Sequence, residues 1–121
     1  MKTYIVIPTY NEKDNLEILV KKISALKIEN SYIIVVDDNS PDNTGVLADK
    51  LAEDYNLSVI HRPTKQGLGS AYKQGFAFAI QNNADLIIQM DADLSHNPKD
   101  IPRLIESCLE GYDLVIGSRK I

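Results

Sequence analysis

The chain is predicted to fold as an α/β domain, a mainly parallel sheet with helices on both faces. Two observations carry this prediction. Short runs rich in Ile and Val alternate with longer segments whose apolar residues recur at helical spacing, and the connections are short, the pattern of right-handed crossovers between parallel strands. In addition, every polar cluster (Pro8 to Glu12, Asp37 to Thr44, Arg62 to Gly69, Asp91 to Asn97, Gly117 to Lys120) follows the carboxyl end of a strand. In a parallel sheet those ends share one edge, where open α/β sheets bind ligands.

Thr3 to Pro8 reads as a buried strand, and Leu16, Leu19, Val20, Ile23 and Leu26 then mark a helix started by Thr9 or Asn11. Ser31 to Val36 is the second strand, followed by a helix with Val46, Leu47, Leu51 and Tyr55 on its apolar side. Leu57 to His61 is the third, and the next helix carries Ala71, Tyr72, Phe76, Ala79 and Ile80. Leu86 to Gln89 is the fourth. The last helix, with Ile101, Leu104, Ile105, Cys108 and Leu109, stops at Gly111, the residue type suited to a left-handed helix end, and Asp113 to Ile116 is the fifth strand. No repeat, low-complexity tract or linker interrupts residues 1–121, so one domain is expected.

Composition excludes several classes. The 44% hydrophobic and 25% charged content is that of an ordinary globular protein rather than a disordered one. With 13 basic against 17 acidic residues and no dense Lys/Arg block, nucleic acid is not an expected partner. Cys108 is the single cysteine, which rules out an internal disulfide or a cysteine-based zinc site and reads as an inert core thiol. No apolar run reaches the length of a membrane span and no signal peptide precedes the first strand, so the expected location is cytoplasmic.

The most informative stretch is Met90-Asp91-Ala92-Asp93-Leu94-Ser95-His96-Asn97-Pro98. Asn97 before Pro98 already supplies the helix start. Asp91 and Asp93 are therefore left over, and in a loop that has departed from strict extension both can turn toward one point as hard oxygen ligands for Mg2+ or Mn2+, which in turn would hold a diphosphate. His96 reads as a turn residue. Two common phosphate devices are absent: there is no Gly-x4-Gly-Lys-Ser/Thr loop, and the first βα loop has no glycine for a dinucleotide fingerprint. Gly67 and Gly69 fit either a tight turn opening a helix or a close backbone approach to a ligand. His61 and Arg62 either line the site or end the strand.

Taken together and in order, Pro8-Thr9-Tyr10-Asn11-Glu12, Asp37-Asp38-Asn39-Ser40-Pro41-Asp42-Asn43-Thr44, Gly67-Leu68-Gly69-Ser70-Ala71-Tyr72, the Asp91-Ala92-Asp93 segment and Gly117-Ser118-Arg119 resemble the motifs of family-2 GT-A glycosyltransferases, with the dolichol-phosphate (polyprenol-phosphate) mannosyltransferases as the nearest subgroup. The resemblance implies a Rossmann-like GT-A nucleotide-sugar site. It assigns Pro8, Tyr10 and Glu12 to the loop along the nucleoside, Val36 and Asp38 to positions beside the base, and Asp91 and Asp93 to the metal and diphosphate. Ala92 would pack beside the nucleotide and Arg119 would meet the phosphates, while Asp37 supports its loop. The implied reaction is an inverting transfer of mannose from GDP-mannose to a polyprenyl (dolichyl) phosphate with Mg2+ or Mn2+. The alternatives are a relative using UDP-glucose or another donor or acceptor, and a non-catalytic nucleotide-binding module. Some members carry Gln where this chain has Ser95, which leaves a third protein ligand to the metal open. The family also continues beyond Arg119, so the chain is expected to be the donor-binding part of a longer enzyme that meets its acceptor at the cytoplasmic face of a membrane.

Overall fold

The structure is a computed structural model that describes residues 2–95, 97–109 and 115–116. Among these, five strands form one parallel sheet: β1 (Thr3–Thr9), β2 (Ser31–Asp37), β3 (Leu57–His61), β4 (Leu86–Gln89) and β5 (Val115–Ile116), in the spatial order β3-β2-β1-β4-β5. The helices are α1 (Lys13–Ala25), α2 (Thr44–Asp54), α3 (Leu68–Gln81) and α4 (Ile101–Leu109), the last entered through a 3-10 turn at Pro98–Asp100. The expected helix end at Gly111, the beginning of the fifth strand at Asp113, His96 and Arg119 lie outside the described residues, as do the side chains of Cys108 and Leu109.

Period-two alternation on the strands builds two cores. Ile5 and Ile7, Ile33 and Val35, and Leu86 and Ile88 face Leu16, Leu19, Val20 and Ile23 of α1, Ala48 and Leu51 of α2, and Ile101 of α4. The intervening Tyr4, Val6, Ile34 and Val36 face Ala71, Tyr72 and Ala79 of α3. A strand buried on both sides needs apolar residues at every position, which is why β1 and β2 read as unbroken hydrophobic runs.

Two helix faces differ from the expectation. Val46 of α2 and Ile80 of α3 are 60% and 67% exposed, while Gly45 and Gly75 are buried on the inward faces. The cause is close approach: a Cβ at Gly75 would lie 2.3 Å from Val6 Cγ1 and 3.3 Å from Val36 Cγ2. Gly75→Ala is therefore expected to destabilise the fold. The gain in helix propensity is about 1 kcal/mol, whereas forcing a methyl against the stiff, fully buried Val6 of the central strand costs about 1–3 kcal/mol net by overpacking. Chemical denaturation should show a lower midpoint with an unchanged slope.

The expected start of α1 is also revised. Thr9 is the last residue of β1, Asn11 takes a left-handed φ of 57°, and Glu12, which precedes Lys13, makes no side-chain cap. Caps come instead from the neighbouring loop: Glu12 N donates to Thr44 Oγ1 at 3.1 Å and Lys13 N to Asp42 Oδ2 at 3.2 Å. Asn97 does start the turn before α4, its side chain accepting from Lys99 N at 3.0 Å with Pro98 in the first position.

The strand order reverses between β1 and β4. α1 and α2 carry the chain outward from β1 to β3, and α3 then crosses the opposite face to bring β4 back beside β1. β1 pairs with β2 through Thr9 but with β4 only as far as Val6 and Gln89, after which Met90 N still donates to Val6 O. Pro8 is two residues past Val6, so the N–H it lacks would have pointed to the β4 side, where the ladder has just ended. Proline costs nothing there, and it leaves the sheet open at its topological switch point.

Candidate active site

A cleft of about 250 Å3 occupies this opening, lined by Pro8, Thr9, Tyr10, Glu12, Asp38, Lys65, Gly67, Leu68, Ala71, Asp91, Ala92 and Asp93. Four of the five predicted loops contribute to it. The fifth, Gly117 to Lys120, lies outside the described residues.

The first two loops are stitched together by side chains of the second. The buried Asp37 carboxylate accepts from Thr9 Oγ1 at 2.7 Å and from Ser40 N and Oγ at 3.0 and 2.6 Å, while Asn11 N donates to Ser40 Oγ at 3.0 Å. Burial works against ionisation of Asp42, but hydrogen bonds from the hydroxyl and backbone of Thr44 and from the backbone of Lys13 outweigh it and hold this carboxyl below its usual range. Asn39 and Asn43, both with positive φ, make the bends, which asparagine tolerates better than other non-glycine residues. The polar density of Asp37 to Thr44 is thus mostly scaffolding that fixes Tyr10 and Glu12 at the cleft.

Asp38 is different. It is 5% exposed, and its carboxylate receives Arg62 Nε on Oδ1 at 2.5 Å, with Arg62 Nη2 and Gln66 N on Oδ2 at 3.4 and 3.3 Å. Arg62 is 3% exposed and also donates to Ser70 Oγ at 3.0 Å. Much of the capacity of a carboxylate with about four acceptor positions is thereby used. The sequence left Arg62 as a residue that either lines the site or ends a strand; the structure makes it the buried partner of Asp38. Val36, expected beside the base, has its side chain fully buried in the α3-side core, two residues before Asp38 and outside the cleft lining. At the mouth, Lys65 Nζ lies 4.3 Å from the ring centroid of the partly exposed Tyr10.

At the opposite wall, Asp91 is half-buried, Ala92 is 3% exposed and Asp93 is exposed. Two separate devices hold the carboxylates. Asp93 Oδ1 accepts from Ser95 N at 2.9 Å across Leu94, whose φ of 62° folds the loop back on itself. Leu94 accepts that backbone conformation while packing its side chain against the core. Asp91 Oδ1 accepts from the hydroxyl of Tyr72 at 2.6 Å. Burial, followed by the hydrogen bond and the negative charge of Asp91 and then the charge of Asp93, raises the Tyr72 phenol far above its ordinary range, so it is a donor at any physiological pH. The sequence reading has Tyr72 on the apolar stripe of α3 and at the end of the Gly67 to Tyr72 motif, but gives its hydroxyl no partner, because helical spacing reports the ring and not what its hydroxyl reaches.

Asp91 and Asp93 both line the cleft, and carboxylate oxygens are hard donors of the kind that Mg2+ or Mn2+ takes alongside water and substrate phosphates. Of the two glycine readings, Gly67 has its structural reason in a φ of 97° just before α3, whereas a Cβ at Gly69 would meet nothing within 4 Å. No helix among the described residues is long and apolar enough to cross a membrane.

Comparison with known proteins bears on the family and the fold. The family model described as Glycosyl transferase family 2 matches residues 4–121. The polyprenol monophosphomannose synthase of Mycolicibacterium smegmatis is 43% identical over 99% of this chain and 46% of its own length. The dolichol-phosphate mannosyltransferase of Pyrococcus furiosus is 47% identical over all of this chain and 34% of its own. The chain therefore spans less than half the length of these relatives. Among solved structures, TarS residues 1–349 from S. aureus superposes with a TM-score of 0.72 at 25% identity, covering 88% of this chain and 33% of that one. The mannosyltransferase PcManGT from Pyrobaculum calidifontis, solved with GDP-Man and Mn2+, has a TM-score of 0.63 at 22% identity over 76% of this chain and 27% of its own, a likeness of fold.

Proposed function

The chain belongs to glycosyl transferase family 2, and from that premise we propose that its cleft binds GDP-mannose for inverting transfer of mannose to a polyprenyl phosphate. The observation that carries this reading is the placement of a carboxylate pair, Asp91 and Asp93, across the switch-point cleft from Tyr10, Glu12 and Asp38. A nucleotide sugar lying across this cleft would put its base and ribose on the β1–β2 side and its diphosphate on the β4 side. The names of the relatives, all attached to longer chains, support the same donor and acceptor classes.

In this mechanism Tyr10 offers its exposed ring face to the base, and Glu12 offers carboxylate oxygens to ribose or base. Asp38, held rigid by Arg62, keeps little acceptor capacity beyond its present bonds, which suits a single guanine N–H better than two. Asp91 and Asp93 would hold Mg2+ or Mn2+, which when bound neutralises charge developing on departing GDP. The acceptor phosphate, with a second pKa of about 6, arrives already ionised near neutral pH. Its oxygen forms the new bond to the anomeric carbon on the face opposite the bond to GDP, which breaks as the sugar passes through an oxocarbenium-like state. No side chain has to remove a proton from such a nucleophile, and the protein's part is to position the donor and exclude water. Arg119, outside the described residues, retains its proposed role at the phosphates.

Base selectivity tests the reading. A ligand present at 100 times its Kd stabilises the native state by about 2.7 kcal/mol, so with Mn2+ present GDP is expected to raise the melting temperature of this chain by several degrees and UDP to raise it less. An equal or larger rise with UDP would point to a uridine donor instead.

A further inference from the structure

Resting on the carboxylate pair proposed above as the metal site, we infer that Tyr72 is a positioning residue that fixes the Asp91 carboxylate for the divalent ion. Asp91 follows Met90, whose backbone is anchored to Val6 O, so the main chain leading to Asp91 is set and the orientation of its carboxylate depends on side-chain contacts. Among the described residues, the group bonded to that carboxylate is the Tyr72 hydroxyl, at 2.6 Å. This length is typical of a hydroxyl donating to a charged oxygen, about 2.5–2.7 Å.

Tyr72 is suited to the task because little about it can move. Its ring is buried at 8% exposure and packs at 6.0 Å from Phe76. One turn further on, Gly75 brings α3 into direct contact with Val6 of the central strand. Tyr72 itself does not line the cleft, whereas its neighbour Ala71 does. The hydroxyl thus holds a carboxylate of the cleft lining from a ring that is not itself part of that lining. The stretch from Gly67 to Tyr72 acquires a purpose distinct from a phosphate cradle: Gly67, with φ 97°, starts α3 at the angle that delivers this hydroxyl. Partners that orient metal ligands from behind commonly matter about 10- to 100-fold in metal affinity.

The test is calorimetric titration of wild type and Tyr72→Phe with GDP, in Mn2+ and in chelator, together with thermal melts. Wild type is expected to bind GDP more tightly in Mn2+, and Tyr72→Phe to lose about tenfold or more of that affinity while matching wild type in chelator and keeping a cooperative melt. As a packing control, Phe78→Leu, which loses the edge contact of α3 with Tyr4, should lower the melting temperature and leave the Mn2+ dependence intact. Full Mn2+ dependence in Tyr72→Phe overturns the inference alone and leaves the proposed function standing. An equal loss in Mn2+ and in chelator, or loss of Mn2+ dependence in Phe78→Leu as well, reduces Tyr72 to a packing role and also overturns it. A wild type indifferent to Mn2+ overturns both readings.

Discussion

Asp93→Asn is expected to weaken Mn2+-dependent binding of GDP-mannose by about 100-fold or more and to leave binding in chelator nearly unchanged. Altering groups that merely orient metal ligands costs about 10- to 100-fold, and removing one of two charged ligands costs at least the upper end. Asparagine preserves the volume of Asp93, and its carbonyl oxygen can still accept the 2.9 Å bond from Ser95 N. The substitution therefore removes the charge while keeping that bond. Titration with GDP-mannose at several Mn2+ concentrations measures the effect, and equal affinities for variant and wild type would remove Asp93 from the metal site.

The largest expected effect on stability is at Asp38. In Asp38→Ala the Arg62 guanidinium, with its side chain 2% exposed, would keep its hydrogen bond to Ser70 but lose its counter-charge. Breaking a buried pair by removing one partner costs about 3–5 kcal/mol, a large fraction of the roughly 5–15 kcal/mol that stabilises a typical domain. The same reasoning gives a second, opposite expectation. Replacing both residues with apolar ones of similar volume, Asp38→Leu with Arg62→Met, should recover much of the loss, because most of the penalty in the single variant is the orphaned cation. Urea denaturation of the two variants separates the cases. If Asp38→Ala were as stable as wild type, the pair would not be the buried anchor of the second and third loops that its geometry implies.

The central strands β1 and β2 were legible because burial on both faces leaves a continuous apolar signature, and β3 and β4 because short apolar runs end in polar clusters. Leu57 to His61 and Leu86 to Gln89 match the structure, and the first two strands run one residue further than expected. Helix faces were less legible. Hydropathy placed Val46 and Ile80 inward, but the distance of closest approach between helix and sheet is set by the glycines at 45 and 75, which hydropathy cannot weigh. The start of α1 was misplaced because its caps come from Asp42 and Thr44, about 30 residues away in the chain.

The cleft's location followed from the clustering of polar residues after strands, and its carboxylate pair from the lack of any capping work for Asp91 and Asp93. The groups behind those residues were hidden. Arg62 meets Asp38 only because β2 and β3 align Asp37 with His61, and Tyr72 meets Asp91 only because α3 crosses the face opposite α1 and α2. Each contact depends on sheet register and helix placement together, and neither is written in local spacing.

A metal-assisted nucleotide-sugar site at the switch point can be tested by a single calorimetric titration of this chain with GDP-mannose, run in Mn2+ and repeated in chelator. One site per chain is expected, with affinity markedly higher in Mn2+. Indistinguishable affinities in the two conditions, or no binding to a chain whose circular dichroism and cooperative melt show it folded, would contradict it.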